Sequence, residues 1–229
     1  MVLSTAAVIP ARDEAATLAQ TLHSLRNIAV VSRIIVADDG SRDATPEIAR
    51  KLGATVITAS PPGKSGGKGH ALRLGLIRAR ELEPDAVLLA DADLGLSATH
   101  LSALLNSLDE DHPAVVAAFA GGPDRGGFGL VKNFSRRAIL RRTGYAPSEP
   151  LSGQRALLPP ALAALPGIAP GFGAEVGMTL DLLSTGVKPC EIPLPLTHCP
   201  TGRNLSGFIH RARQGLDIIH ALHGERIPW

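Results

Sequence analysis

Residues 86–95 read AVLLADADLG. Five consecutive apolar residues, Ala86 to Ala90, have the length of a strand buried on both faces, and the run stops abruptly in two carboxylates, Asp91 and Asp93. Strands apolar on both faces belong to parallel sheets covered by helices. Outward from this stretch the same pattern repeats, in LSTAAVIP (3–10), RIIVAD (33–38), ATVITA (54–59) and AVVAAFA (114–120). Between these runs, Leu18, Leu22 and Leu25, and then Leu72, Leu76 and Ile77, recur at helical spacing. The alternation predicts an α/β doubly wound, mostly parallel sheet with helices on both faces. Ligands of such sheets collect beyond the carboxyl ends of the strands, where PARDE (10–14), DDGS (38–41) and DAD (91–93) fall.

The whole-chain properties limit the function classes. The 229 residues are 45% hydrophobic and 19% charged, enough for one substantial core, and the formal charge of +2 is too near balance for a nucleic-acid binder. Basic residues nevertheless crowd the second half (Arg136, Arg137, Arg141, Arg142 and Arg203 among them), which favours an anionic partner. The N-terminal apolar run is too short for a signal peptide or a membrane span, so the expected compartment is the cytoplasm. Zinc held by Cys190, His198 and Cys199 is disfavoured, because the two cysteines lack the CxxC knuckle.

The second half is less regular. GGPDRGGFGL (121–130) is a glycine-rich loop, VKNFSRRAILRR (131–142) a basic helix, and SEPLSGQRALLPP (148–160) a turn-bounded strand. GAEVGMTLDLLSTG (173–186) is expected as a helix closed by Gly186. SGFIHRARQGLDIIHALH (206–223) is expected as a C-terminal helix burying Phe208, Ile209, Ala212, Leu216 and Ile219. In the basic helix, Arg136, Arg137, Arg141 and Arg142 are expected on one side, with Phe134, Ala138 and Ile139 toward the core.

Two adjacent carboxylates near a core repel unless a cation sits between them. Mg²⁺ or Mn²⁺ takes one or two carboxylates and completes its shell with water and phosphate oxygens, so Asp91 and Asp93 suit a metal-diphosphate site; a plain acidic turn capping a helix near Ser97 is the alternative. Asp39 could accept hydrogen bonds from a nucleobase or ribose, or simply make an Asp-Gly turn ahead of a helix started by Thr45 and Pro46. Asp13 could be only an N-cap. PPGKSGGKGH (61–70) is not a P-loop, since Thr58 stands where the first glycine is required; it is a glycine run that delivers Lys68 onto a helix start.

Taken together, VIPARDEAATLAQTL (8–22), IIVADDGSRDAT (34–45), GGKGHALRLGL (66–76) and AVLLADADL (86–94) resemble the nucleotide-binding half of family 2 glycosyltransferases and their retaining relatives, which share the GT-A fold. Glucosyl-3-phosphoglycerate synthases and dolichyl-phosphate sugar transferases are among the enzymes resembled. The resemblance implies a single GT-A domain over 1–229, with a nucleotide-sugar-binding half (1–120) and an acceptor-side half (121–229). It also implies a metal-dependent transfer of a sugar from a nucleotide donor, expected as a UDP-sugar, to an acceptor hydroxyl.

By resemblance, Pro10, Ala11 and Asp13 line the nucleoside pocket, Asp39 holds the uracil, Lys68 faces the donor, and Asp91 and Asp93 form the DXD metal motif. His198 stands where relatives carry a third metal ligand, and Arg203 is near enough to neutralise the diphosphate. Glu175 is the candidate to accept or orient the acceptor's proton; the acidic pair of many inverting members is not obvious around it, which leaves the stereochemistry open. Expected partners are the nucleotide sugar, an acceptor that is a phosphorylated small molecule or a polyprenyl phosphate, the membrane surface in the latter case, and a second copy in a homodimer, with no nucleic acid. A sugar-phosphate nucleotidyltransferase would need a glycine-rich loop after the first strand, which IPARDEAATL (9–18) lacks. A non-catalytic nucleotide-sugar-binding module is the other alternative.

Overall fold

The computed structural model describes residues 4–119, 128–197 and 217–229. Five strands fall where the apolar runs predict them: β1 (Thr5–Ala11), β2 (Val31–Asp39), β3 (Thr55–Ser60), β4 (Ala86–Leu89) and β5 (Ala114–Phe119). Helices α1 (Leu18–Arg26), α2 (Thr45–Lys51), α3 (Lys68–Arg80) and α4 (Ser102–Asn106) alternate with them. The second half contributes α5 (Phe128–Thr143), β6 (Arg155–Leu157), α6 (Pro159–Ala163), β7 (Gly167–Ile168), α7 (Ala174–Ser184), β8 (Cys190–Leu194) and β9 (Ile227–Pro228). Pro46 in the first turn of α2 fixes φ for helix entry, and Gly186, at φ +84°, follows α7 where an L side chain would be strained.

The main sheet has seven strands in the order β3-β2-β1-β4-β6-β5-β8. All neighbours are parallel except β6, which runs antiparallel to both β4 and β5. Period-2 alternation sorts the side chains onto two buried faces. Ala7, Ile9, Val36 and Leu88 join α1 and α4 on one face, while Ala6, Val8, Ile35, Val87 and Leu89 join α3, α6 and α7 on the other. Gly75 allows α3 to lie flat on the sheet, since a Cβ there would come within 2.5 Å of Val8 Cγ1. A smaller core of Ile139, Val176, Ile218 and Leu222 seals α5, α7 and the helical residues 217–222.

Two orientations differ from the sequence expectation. Phe134 is 45% exposed, because Ser135 and Ile139 occupy the inward stripe of α5 in its place. Ile219 is 38% exposed, and Ile218 with Leu222 makes the inward contact; Phe208, Ile209, Ala212 and Leu216 lie outside the described residues. Among the described residues no helix is long and apolar enough to cross a membrane.

Candidate active site

The strand order reverses between β2 and β4 on either side of β1, and the carboxyl ends there make the expected crevice. Because β6 runs the opposite way, its leading end meets the trailing end of β4: Leu89 pairs with Arg155, which sets Gln154 beside Asp91. The Gln154 amide then clamps that residue from both sides. Its Nε2 donates to Asp91 Oδ2 (2.8 Å), and its Oε1 accepts from the Asp91 backbone N–H (3.1 Å).

Lys68, the first residue of α3, closes the other side. Its ammonium donates to Asp91 Oδ1 and pairs with Glu175 Oε1, both at 2.7 Å. Burial opposes the charge on Lys68, but the two carboxylates outweigh it and hold the ammonium protonated well above the usual lysine range. A Cβ on Gly153 would stand 2.8 Å from Asp91 Oδ1 and 2.9 Å from Lys68 Nζ, so only glycine lets the β6 entry approach this pair.

Glu175, in the first turn of α7, is buried, with its side chain 4% exposed. Arg155, fully buried, fixes the start of α7 beneath it. The guanidinium donates to Ser152 O (3.0 Å), Thr179 Oγ1 (3.0 Å) and Glu175 O (2.9 Å). Burial lowers the Arg155 pKa to about 10, with the Glu175 charge opposing. Asp181, one and a half turns along α7, is engaged elsewhere, accepting from Arg226 Nε at 2.6 Å and Nη2 at 2.8 Å.

The β1 and β2 ends are tied to each other. Asp13 adopts φ +55° and its Oδ1 accepts from the Arg42 N–H (2.7 Å), so it bridges two loops and does not cap α1, whose N-cap is Thr17. Pro10 and Ala11 lie alongside Ala37 and Asp38 in the parallel ladder. Asp38 turns back on Ser41, while Asp39, 4% exposed, receives Ser60 Oγ (2.6 Å) and Gly66 N–H (2.8 Å) on Oδ1, and Ser65 Oγ (2.5 Å) and Gly67 N–H (3.0 Å) on Oδ2. A carboxylate has about four lone-pair positions, and the loop leading into Lys68 fills them all. Burial works against the Asp39 charge, yet these donors together hold its carboxyl below the ordinary aspartate range.

Asp93 is half-buried beside Asp91, and Glu14 lies close enough to feel both. Burial, reinforced by Asp93, Asp91 and Asp43 and opposed by the Thr17 hydroxyl, pushes the Glu14 carboxyl above its usual range. Among the described residues, Glu14, Asp91, Asp93 and Glu175 gather around the Lys68 ammonium, an acidic crevice in which a diphosphate is best accepted together with a cation. The hard oxygens of Asp91 and Asp93 fit Mg²⁺ or Mn²⁺, which completes its shell from water and substrate. Among the described residues no cluster of three or more His, Cys, Asp or Glu side chains is placed to hold a metal. His198 and Arg203, the expected third ligand and diphosphate partner, lie outside the described residues, as does Cys199. Cys190 is a free, partly buried thiol on β8.

The structure thus brings Lys68, Asp91 and Glu175 into contact, and adds Gln154, Gly153 and Arg155, which the sequence does not single out as individual residues. All three lie in LSGQRAL (151–157), a segment recognised only as a turn-bounded strand on the acceptor side.

Residues 6–156 match the sequence pattern of Glycosyl transferase family 2. The chain belongs to that family. Among solved structures it is similar to glucosyl-3-phosphoglycerate synthase from Mycobacterium tuberculosis, in a complex with Mn²⁺, UDP and glucosyl-3-phosphoglycerate, at a TM-score of 0.75 and 25% identity over 99% of this chain and 87% of that one. A complex of the same enzyme with Mn²⁺, UDP-glucose and glycerol 3-phosphate gives a TM-score of 0.72 and 26% identity over 98% and 82% of the two chains. Both carry the α/β GT-A-like fold that the family 2 resemblance implies. The glycosyltransferase AglJ of Haloferax volcanii is 26% identical over 197 residues, which span 84% of this chain and 63% of AglJ.

Proposed function

We propose that this family 2 protein transfers a glycosyl group from a UDP-sugar to a hydroxyl of an anionic acceptor, assisted by Mg²⁺ or Mn²⁺. The observation that carries the reading is the convergence of Asp91, Asp93, Lys68 and Glu175 at the strand-order reversal. The similar mycobacterial enzyme supports the choice of substrates, having been crystallised with Mn²⁺ and UDP-glucose, and with phosphoglyceric acid or glycerol 3-phosphate.

Asp91 and Asp93 would hold the divalent ion, which supplies charge neutralisation for the departing diphosphate. Lys68 adds a fixed positive charge on the same side, pre-oriented by its two carboxylate partners, so little reorganisation is needed when negative charge develops. Pro10, Ala11 and Asp13 form the wall on the nucleoside side. Asp39 anchors the loop that presents Lys68; the uracil contact expected of it requires Ser65 to Gly67 to lift away first. Glu175, buried against Lys68, is better placed to orient that ammonium and the acceptor than to act as a solvent-exchanging base. His198 and Arg203 complete the reading as third ligand and diphosphate partner.

Donor turnover tests the proposal. Purified protein incubated with UDP-glucose and other nucleotide sugars, with and without Mn²⁺, should release nucleoside diphosphate only with the metal, and Asp93→Ala should abolish release while the thermal melt stays cooperative. Metal-independent release, or full activity in Asp93→Ala, overturns it. Binding without any release favours a nucleotide-sugar-binding module.

A further inference from the structure

We propose that the outward face of α5 docks the protein onto an anionic phospholipid bilayer. The helix spans 16 residues, about 24 Å at 1.5 Å per residue, and contains no acidic side chain. Its inward stripe is accounted for: Ser135 and Ile139 are fully buried, Ile139 against Val176, Ile218 and Leu222. Lys132 is taken up by Glu149 at 2.8 Å. What remains faces outward. Leu130, Phe134, Arg137 and Arg141 follow one another at spacings of four, three and four, a single helical stripe, with Asn133 and Leu140 beside it.

The composition of that stripe points to lipid. Leu130 is 79% exposed, Phe134 45% and Leu140 43%, interleaved with arginines that form no ion pair or hydrogen bond among the described residues. Single exposed apolar residues are ordinary on a protein surface, but three large ones gathered on one helix face beside arginines form a patch that calls for a partner. Apolar side chains that reach the acyl boundary while arginines meet headgroup phosphates are the pattern of an interfacial helix. Charge complementarity selects the occupant. A second copy pairing through the same face would oppose Arg137 and Arg141 to their own images with no carboxylate between them. A nucleic acid would satisfy the arginines and leave Leu130, Phe134 and Leu140 with no apolar surface to cover them.

The placement suits the fold, since α5 packs on α7, the helix that carries Glu175. The inference stands on the α5 face alone and holds whatever reaction the crevice performs.

Vesicle flotation without substrates tests it, comparing phosphatidylcholine vesicles with mixed phosphatidylcholine and phosphatidylglycerol vesicles. The protein should float with the anionic vesicles only, and less at raised salt. Because each basic side chain near an anionic surface contributes roughly a fivefold factor, Arg137→Glu with Arg141→Glu should lower partitioning by more than about tenfold. Leu130→Ser with Phe134→Ser should also reduce it, with melts like the parent's, since all four positions are exposed. In Phe134→Trp, the added indole emission should shift to the blue on anionic vesicles. Absence of flotation, equal flotation with neutral vesicles, or flotation unchanged in both double variants overturns the proposal. So does polyuridylate binding as tight as vesicle binding, or a dimer in sedimentation equilibrium that Phe134→Ser dissociates. UDP release measured on the same preparations reports separately on the transferase reading.

Discussion

Lys68 and Glu175 form an ion pair of 2.7 Å between the first turns of α3 and α7, with the glutamate side chain 4% and the lysine 23% exposed. The same ammonium meets Asp91 at 2.7 Å, so one cation balances two carboxylates. Removing it leaves both negative charges in a poorly solvated crevice, and breaking a buried pair from one side costs on the order of 3 kcal/mol or more. Lys68→Met should therefore lower the unfolding free energy by about that amount in urea melts. The double variant Lys68→Met with Glu175→Gln should recover more than about 1 kcal/mol of it, since residues in direct contact are non-additive. Strict additivity would show that the pair is not coupled.

Gln154 acts on Asp91 through two hydrogen bonds, from its Nε2 and to its Oε1. Groups that orient a metal ligand typically contribute 10- to 100-fold to metal affinity or activity. Gln154→Leu should raise the Mn²⁺ concentration needed for half-maximal UDP release by about 10- to 100-fold. It should also lower stability by roughly 1–3 kcal/mol, because the Asp91 N–H loses its partner. Unchanged metal dependence would reduce Gln154 to a strand residue.

Gly153 offers a steric test of the same corner. An added Cβ would lie 2.8 Å from Asp91 Oδ1 and 2.9 Å from Lys68 Nζ, closer than carbon packs against either. Gly153→Ala should thus wedge the pair apart, and activity should fall further than stability, since the lysine tip can swing away while the site loses its geometry. Parallel kinetics and thermal melts read the two effects. A variant as active as the parent would mean that the pair is open during turnover.

What could be read in the sequence, and what could not, follows the range of the interactions. The five leading strands and the crevice residues Asp91, Lys68 and Asp39 are marked by local signals: apolar runs, a glycine run and carboxylates at strand ends. Gln154 and Arg155 have no such mark, because their importance comes from β6 running antiparallel, a pairing that sets residue 155 opposite residue 89. A buried arginine in a three-residue strand looks from sequence like a solvated turn cation. Hydrophobicity predicts burial for Phe134, but on α5 the inward stripe is filled by Ser135 and Ile139. For Asp39 the strand-end signal marks the position, while the donors that fill its carboxylate come from residues 21 to 28 positions away in the chain.

Asp39 gives the prediction that depends on pH. Its carboxyl is held below the ordinary aspartate value by Ser60, Ser65, Gly66 and Gly67, against the opposing effect of burial. A carboxyl with a depressed folded pKa binds its proton more readily in the unfolded chain, so its stabilisation is present above the unfolded value of about 3.9 and is lost as pH falls through the lower folded value. The loop 60–67 should stay latched at neutral pH and loosen only in acid below the ordinary aspartate range, where the folded carboxyl takes up its proton. In Asp39→Asn, the side-chain NH₂ would face the N–H groups of Gly66 or Gly67, and the acceptor that pulls the loop down is lost. The variant should be less stable by about 1–3 kcal/mol at pH 7 and lose part of the parent's decline toward acid, as urea melts from neutral to acidic pH would show. The same variant separates two roles for Asp39. If it anchors the loop that presents Lys68, all nucleotides should weaken alike; if it meets the base directly, uridine nucleotides should weaken selectively. The filled carboxylate leads us to expect uniform weakening, and a selective loss of uridine binding would show that Ser65 to Gly67 give way to the base.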